Sequence, residues 1–416
     1  MNSAQTGKRT GTTMLLVGAI VGALAAYGFQ LVGGRVLGEV GFAPVAQLWT
    51  VFFFVATVVL VPLEQFVTRE VSRSRSVLGT DRVVVMRVSA LGVILGVVVV
   101  LFGLDQLFGG NPIYILQMAV LMAGYSTLYL GKGIIAGSRR FSTLGWVLIA
   151  ESVVRLLLAV VVLWLAPSPV NLGWTMVAAP WVILLNRFWR FDRGQSDLPA
   201  PSLFFVGQIP GAAASQLLIG AAPAIVAFLG ADEATQSSVF QTFTLYRAPL
   251  TLTYSLQGRV LPGLVDGSSR LRRRIITWVA AVGSITVVVG GVVGWLIGPE
   301  VVGFMFGEGY APKRLVAALG ATGMMALATA QIMSQALVAQ AQTRRLAAVW
   351  ISGVVVAAVT LLSVSGEPDV RVAWGFVAGA ITALLAMSVS AFLVPWNGGG
   401  GLGPEVADPE HTEPAV

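Results

Sequence analysis

Charged residues inside apolar segments are the feature of this sequence that most directly suggests chemistry. The stretch FQTFTLYRAPLTLTY, residues 240–254, lies in a mostly apolar run and carries Arg247 two residues before Pro249. A charged side chain at the centre of a bilayer costs roughly 2.5–3.5 kcal/mol, and such residues usually face a protein interior or a water-filled cavity. A guanidinium there is suited to phosphate, because it forms bidentate hydrogen bonds to phosphate oxygens.

The surroundings of Arg247 favour a role as a ligand. Positions three and four residues away hold no acid, and polar Gln241 and Thr244 share one helical face with it. Pro249 removes a backbone donor and perturbs the carbonyl of Leu245, so we expect the helix to bend there. We interpret Arg247 as a contact for a diphosphate. The alternative is a structural pair with an acid on another span.

Two more arginines lie in apolar runs, Arg87 and Arg155. Arg87 is near the inner end of its span, where a long side chain can reach the headgroups. Arg155 follows Glu151 by four residues, which places the two side chains together on a helix. Glu151 is the only acid that we place deep in any span. The pair is either self-neutralising and structural or a site that couples ions to transport.

Other polar residues near the mouths and inner ends of the spans are weaker candidates for contacts with a phosphate or sugar. Arg35 and Arg69 flank the first helix pair and could equally anchor helix ends at the interface. Amide side chains at the inner ends of spans could hydrogen-bond sugars or hold helices together; these are Gln65, Gln257, Gln331 and Gln335.

Composition places the chain in a membrane. Of its 416 residues 56% are hydrophobic and 11% charged, and its mean hydropathy is +0.83, whereas soluble domains carry about a quarter charged residues. It has no cysteine, and its single histidine, His411, lies in a polar tail. We therefore expect no metal site, no cofactor and no enzymatic activity. The net charge of +7 reflects membrane topology rather than nucleic-acid binding.

Apolar runs of about 20 residues predict transmembrane helices. The fold class that we predict is an all-α polytopic membrane protein with about twelve of them, joined by short loops. The runs lie near 12–32, 43–63, 83–103, 113–131, 143–165, 172–189, 203–229, 238–261, 275–298, 315–340, 347–365 and 372–396. The Gly/Pro-rich acidic tail, 397–416, is predicted to be disordered and cytoplasmic.

The distribution of Lys and Arg predicts the orientation. With the N-terminus inside, the inner segments hold nineteen of these residues and the outer loops hold four. Positive residues favour the cytoplasmic side. We expect a multi-pass protein of the plasma (inner) membrane with both termini in the cytoplasm.

Weak internal similarity indicates two halves. Leu37-Gly38 and Leu229-Gly230 each precede a glutamine by the same interval, Gln65 and Gln257. The segments IIAGSRRF (134–141) and LVAQAQTRRL (337–346) each precede a tryptophan, Trp146 and Trp350. We predict six-helix halves at 1–195 and 196–396, an arrangement that many transporters use around a midplane site.

Several segments, taken in order, resemble a known family. GGRVLGEVGF (33–42), the loop beginning PLEQFVTRE (62–70), GKGIIAGSRRF (131–141) and FMFGEGY (304–310) are similar to polysaccharide flippases of the multidrug/oligosaccharidyl-lipid/polysaccharide (MOP) exporter superfamily. The resemblance covers about 395 residues. It implies two pseudo-symmetric six-helix bundles around a central cavity. Peptidoglycan-precursor flippases are cousins with a functional arginine in span eight, which adds to the case for Arg247.

The resemblance implies movement of a polyprenyl-diphosphate-linked oligosaccharide from the inner to the outer leaflet by alternating access, for cell-surface polysaccharide synthesis. Expected partners are this lipid, membrane lipids and glycosyltransferases or a polymerase of the same pathway, and the chain is expected to be a monomer. Two alternatives stay open. One is an ion-coupled small-molecule exporter of the same superfamily, and the other is a non-transporting scaffold of a glycan-synthesis complex.

Overall fold

The computed structural model describes residues 3–74, 81–186, 201–250, 264, 269–340 and 342–393, and this part of the chain is helical, without a strand. Apolar helices are expected in lipid, because a helix satisfies its own backbone hydrogen bonds. In the first half the helices are α1 Ser3–Val55, α2 Val61–Ser74, α3 Asp81–Phe102, α4 Leu104–Phe108, α5 Ile113–Gly137, α6 Phe141–Leu165 and α7 Pro169–Ala178. A π-helical turn, Ala56–Leu60, joins α1 to α2, and a 3-10 turn, Ala179–Leu185, follows α7.

The second half continues the pattern. Its helices are α8 Pro201–Gly220, α9 Ala222–Phe228, α10 Glu233–Tyr246, α11 Ser269–Phe306, α12 Arg314–Ala339, α13 Thr343–Ser363 and α14 Pro368–Leu393, with a 3-10 turn at Glu308–Tyr310. The predicted boundary at 195/196, the tail 397–416 and Gln257 lie outside the described residues.

The predicted spans coincide with these helices. Eight described stretches are long and apolar enough to cross a membrane, one of them the 60-residue stretch Thr13–Ser72, which holds the first two spans. The bent pair Ile209–Gly220 and Ala222–Phe228 adds a broken span, and Pro169–Leu185 is a shorter apolar segment. The helix that begins the eighth predicted span, 238–261, ends at Tyr246. The prediction of an all-α polytopic membrane protein with about twelve helices is confirmed.

Each half has a hydrophobic core. One cluster of buried side chains draws mainly on residues 29–183, and it also includes Phe240, Phe306 and Tyr310 of the second half. A separate cluster is built from residues 214–391. The first core therefore extends into the second half beside Gly38, at the end of the molecule that the charge pattern predicts to be outside. We call this end the Gly38 end.

Matched turns repeat between the halves. Gly38 and Gly230 both have positive φ, 68° and 83°, a backbone region that glycine enters without steric cost. The turn after α5 places the Arg140 N–H on the Ile135 carbonyl at 3.1 Å, and the turn after α12 places the Gln342 N–H on the Leu337 carbonyl at 2.9 Å. These turns fall at the positions that the sequence similarity singled out.

Candidate functional site

Arg247 lies at the end of α10, where the helix is interrupted. The helix ends at Tyr246, and Pro249 follows, so the helix is interrupted where the sequence predicts a bend. The Arg247 Nε and Nη2 both donate to the carbonyl oxygen of Ile219, at 3.1 and 2.8 Å. The side chain is half-buried. Its position is therefore fixed by a fork of hydrogen bonds to another helix.

The Ile219 carbonyl is available because a second proline breaks the seventh span. The axes of α8 and α9 differ by 71°, and Pro223 lies in the first turn of α9. Proline has no N–H, so it cannot donate to the carbonyl four residues before it, which is that of Ile219. Arg247 supplies the missing donors. Two prolines, Pro223 and Pro249, thus create the place where the guanidinium is held.

The Arg247 guanidinium lies at the junction of the halves. Its Cζ is 5.7 Å from the ring centroid of Phe53 in α1, a distance at which a cation is attracted to the ring face. One turn before Arg247, the carbonyl of Thr244 accepts a hydrogen bond from the Tyr27 hydroxyl of α1 at 3.1 Å. We call Tyr27, Phe53, the Ile219 carbonyl and Arg247 the Arg247 site.

The other predicted pair forms a cluster inside the first half. Arg155 Nη1 is 3.1 Å from Glu151 Oε1, and the Tyr125 hydroxyl donates to the same oxygen at 2.6 Å. Ser152 Oγ donates to Glu151 Oε2 at 3.0 Å. The Arg155 Cζ lies 4.8 Å from the Trp49 ring centroid. All five side chains are buried, so the charges are matched within one half.

A second ion pair in the first half was missed from sequence. Lys132 Nζ lies 3.0 Å from Glu64 Oε2 and 4.2 Å from the Tyr129 ring centroid. Glu64 and Lys132 lie just beyond the ends of the spans predicted at 43–63 and 113–131. The helices α2 and α5 continue past these ends and bring Glu64 and Lys132 together.

Arg35 lies at the Gly38 end and connects the halves. Its Nε donates to the Met305 carbonyl at 3.1 Å, and its Nη2 donates to that of Phe304. Nearby, the Tyr310 hydroxyl donates to the Gly34 carbonyl at 2.9 Å. These residues border an open cleft of about 700 Å³ that Glu39 and Glu308 also line. Arg35 therefore contributes to the closure of this end, at a distance along α1 from the Arg247 site.

The remaining predicted residues do not converge on Arg247. Gln65 is exposed on α2, and Arg69 is half-buried on the same helix. Gln331 and Gln335 share one face of α12 and are half-buried; Gln335 Nε2 donates to Ser334 Oγ at 3.3 Å. Arg87 is exposed on α3, as expected for a side chain that reaches the headgroups.

Buried amides between the halves carry more of the interface than the sequence suggested. Gln47 Nε2 donates to the Pro223 carbonyl at 2.8 Å and to Gln236 Oε1 at 2.9 Å. Gln241, which had been noted only as a polar neighbour of Arg247, is fully buried. Sequence spacing gives the face of a helix on which an amide lies, but the opposing helix decides whether it is buried.

Beyond the spans, charges fix the loop between α11 and α12. Lys313 contacts the carboxylates of Glu367 and Asp369, the latter at 2.9 Å. Burial lowers the pKa of Lys313, but hydrogen bonds and attraction to these two acids more than offset it, and the net shift is upward. Across the described residues, no cluster of three or more His, Asp or Glu side chains is suited to hold a metal ion.

Comparison with known proteins gives relatives by sequence and neighbours by fold. No family model matches the chain. An uncharacterized protein of Mycobacterium tuberculosis is 27% identical over 364 residues, covering 83% of each chain. A second uncharacterized protein of that organism is 26% identical over 325 residues, covering 72% of this chain and 73% of the relative.

Solved structures of transporters share the architecture. A mutant of the Vibrio cholerae MATE transporter VcmN has a TM-score of 0.62 at 15% identity, covering 94% of this chain and 98% of the other. An inward-facing multidrug resistance MATE transporter of the MOP superfamily gives 0.57 at 16% identity, with 91% and 97% covered.

A Pyrococcus furiosus MOP superfamily transporter, in which a binding pocket of reverse polarity suggests a different function, gives 0.56 at 15% identity, with 92% and 95% covered. The likeness shows a shared fold, and membership of the MOP superfamily and of its polysaccharide branch stays a prediction. This chain is a multi-pass membrane protein with the two-lobed fold of the MATE and other MOP superfamily transporters.

Proposed function

We propose that this chain is a transporter that moves a polyprenyl-diphosphate-linked oligosaccharide from the inner to the outer leaflet by alternating access. The observation that carries the proposal is the position of Arg247. Its guanidinium is held between the halves by the Ile219 carbonyl and the ring of Phe53. A diphosphate that passes between the halves would meet this cation, and guanidinium groups hydrogen-bond phosphate oxygens.

The contrast between the charges supports an anionic substrate over a cationic one. The span carboxylates Glu151 and Glu64 are engaged by Arg155 and Lys132 in the first half. Exporters of organic cations need carboxylates that face the substrate. The reverse-polarity pocket of the Pyrococcus furiosus protein is a precedent for a change in pocket charge within this fold. The small-molecule exporter therefore remains the second candidate, with an anionic substrate.

Closure at the Gly38 end supports an alternating-access mechanism. Arg35, Tyr310 and Gln47 all make hydrogen bonds from one half to the other there, and Phe42 packs on Phe240 with ring centroids 6.0 Å apart. With both termini cytoplasmic, this end faces outward. A substrate would then enter from the inner leaflet and leave when these contacts separate.

The test is binding of a polyprenyl-diphosphate-linked saccharide to the purified protein, followed by native mass spectrometry. We expect Arg247→Ala to lower affinity at least tenfold and Arg247→Lys to restore part of it, because lysine keeps the charge but not the fork. Arg87→Ala is the matched control, since it removes the same charge from an exposed position of a span, and its affinity should equal that of the wild type.

Two outcomes would redirect the proposal. The flippase assignment would be contradicted if the wild-type protein bound no such lipid. It would also be contradicted if Arg247→Ala bound the lipid as tightly as the wild type. In that case a scaffold role in a glycan-synthesis complex becomes the leading interpretation. Retention of a small organic anion, with no lipid-linked saccharide bound, would instead favour the exporter.

A further inference from the structure

Helices α1 and α10 face each other across the junction of the halves. The Tyr27 hydroxyl donates to the Thr244 carbonyl. Gly34, two turns further along α1, packs so closely on Gln241 that a Cβ there would lie 3.3 Å from the Gln241 Nε2. We call this contact, defined by Tyr27, Gly34, Gln241 and Thr244, the α1–α10 seam.

Polar groups in the seam lack hydrogen bonds. Gln241 is fully buried, and within the described residues neither its amide oxygen nor its amide nitrogen has a partner. The hydroxyl of Ser237, one turn earlier on α10, is in the same state, and so is the amide oxygen of Gln30, one turn before Gly34. Buried polar groups in native proteins are nearly always hydrogen-bonded, so these unpaired groups require an explanation, above all Gln241, whose two amide atoms are both unpaired.

A partly satisfied amide at the same junction shows the difference. Gln47 is also fully buried, and its Oε1 has no partner among the described residues, but its Nε2 has two acceptors, the Pro223 carbonyl and Gln236 Oε1. The fold can therefore pair an amide nitrogen between the halves, whereas neither amide atom of Gln241 is paired. In the seam, by contrast, the face of α1 opposite Gln241 is glycine, which offers no side chain as a partner.

We propose that the α1–α10 seam is a metastable closure, and that Gln30 and Gln241 hydrogen-bond the sugar hydroxyls of the substrate when it opens. An amide has two donors and an acceptor with two lone pairs, a combination that suits hydroxyl groups. Leaving these groups unpaired disfavours the closed seam, so opening recovers hydrogen bonds that closure removes. The assignment to sugar rests on the proposed function, but the metastability of the seam does not.

The absence of cysteine from the chain allows a direct test of opening. Ser237→Cys places a single thiol of similar size at a fully buried position of the seam. In proteoliposomes, a water-soluble maleimide then labels the thiol only when the seam opens. In this background we expect Gln241→Leu, which removes the unpaired amide at similar volume, to slow labelling about tenfold.

Thr242→Val is the matched control. Thr242 is fully buried on α10 and its hydroxyl is also without a partner among the described residues. It lies one turn before Tyr246, whose hydroxyl packs beside Gly298 of α11, and thus on another face of α10. This variant should fold normally and label at the parent rate. Gln30→Leu, in α1, should slow labelling as Gln241→Leu does, and it serves if Gln241→Leu fails to fold.

Equal labelling rates in the parent and in folded Gln241→Leu or Gln30→Leu would overturn the metastable seam. The sugar contact has its own arm, with polyprenyl-diphosphate-linked saccharide compared with polyprenyl diphosphate alone. We expect the lipid-linked saccharide to change the labelling rate and polyprenyl diphosphate alone to leave it unchanged. Gln241→Leu should abolish the effect of the saccharide. If both lipids act alike, the amides do not contact sugar. If neither lipid has any effect while Gln241→Leu still slows labelling, the proposed function fails and the seam stands.

Discussion

The two halves of the molecule share backbone turns but differ in the chemistry of their interiors. Gly38 and Gly230 both have positive φ, and the turns at Arg140 and Gln342 repeat one backbone hydrogen bond. The first half encloses matched charges, of which Glu151 with Arg155 is the most buried. In the second half, Arg247 is held on a backbone carbonyl at the junction.

This difference separates what the architecture requires from what function can use. Turns and glycine conformations are needed wherever two helices must reverse direction, so both halves keep them. Interior charges are costly unless they are paired and hydrogen-bonded. A cation paired inside one half is a structural element, whereas a cation at the junction between the halves lies where the proposed substrate would pass. Each prediction below changes one side of this comparison.

The largest effect is expected from the buried pair. Glu151→Gln leaves the Arg155 charge buried without its counter-ion, which typically costs about 3–5 kcal/mol. The free energy of unfolding in detergent, measured by denaturant titration, should fall by that amount. Glu308→Gln makes the same chemical change at an exposed position and should leave stability nearly unchanged.

A double variant then distinguishes structure from ion coupling. Glu151→Leu combined with Arg155→Met replaces the pair by apolar side chains of similar volume, and such replacements are often neutral. We expect the double variant to recover most of the lost stability. A Glu151→Gln protein of wild-type stability would mean that the cluster is not a structural element. A role in coupling ions to transport would then be the leading interpretation.

A smaller effect is expected from Arg247, on the other side of the comparison. Arg247→Gln removes charge-assisted hydrogen bonds from the Ile219 carbonyl, at a cost of about 1.5 kcal/mol. The half-buried position keeps this below the cost at Glu151. Expressed as a free energy, the loss of lipid affinity in Arg247→Gln should exceed this stability cost of about 1.5 kcal/mol. A stability loss as large as that of Glu151→Gln would show that Arg247 is structural, and the asymmetry between the halves would disappear.

The sequence predicted the helices better than the site, for a physical reason. Span length and apolar character follow from bilayer thickness, and the sequence also predicts a disturbed helix near Pro249. The pair of Glu151 and Arg155 is local, four residues apart on one helix. Lys132 with Glu64, and Arg247 with Ile219, depend on which helices become neighbours. Residue spacing within one segment does not contain that information.

The repeated glycines provide a matched test. Gly38→Ala and Gly230→Ala each force alanine to a positive φ, which costs about 1–3 kcal/mol. A Cβ at either position would meet open space, so the cost arises from the backbone conformation alone. It should be substantial at Gly38, because its ψ of 176° lies in a region open essentially only to glycine. Gly211→Ala, in α8 with only ordinary contacts around a Cβ, is the control and should be neutral or slightly stabilising. Equal stability of Gly38→Ala and Gly211→Ala, measured by denaturant titration, would contradict a conformational role for Gly38.

The smallest effect is expected two residues beyond Gly230, where the halves diverge again. Asp232 accepts a hydrogen bond from the Thr235 N–H at 2.9 Å and caps α10, whereas the matched residue in the first half, Val40, follows the kink at Gly38 and has no side-chain oxygen that could cap a helix. The hydrogen bonds from Thr235 and the charge of Lys313 lower the pKa of Asp232. Asp232→Asn keeps an acceptor but removes the charge, and should cost about 0.3–0.5 kcal/mol at neutral pH.

The sign of the pH dependence follows from the direction of this shift. A carboxyl with a lowered pKa in the folded state contributes stability above its usual pKa, and the contribution is lost as pH falls through the folded value. The difference in unfolding free energy between wild type and Asp232→Asn should therefore be constant from pH 7 to 5 and vanish in more acidic buffer. If the difference persists in acid, the cap acts through geometry rather than charge. The halves would then differ at this turn only in whether a side chain caps the following helix, and not in electrostatics.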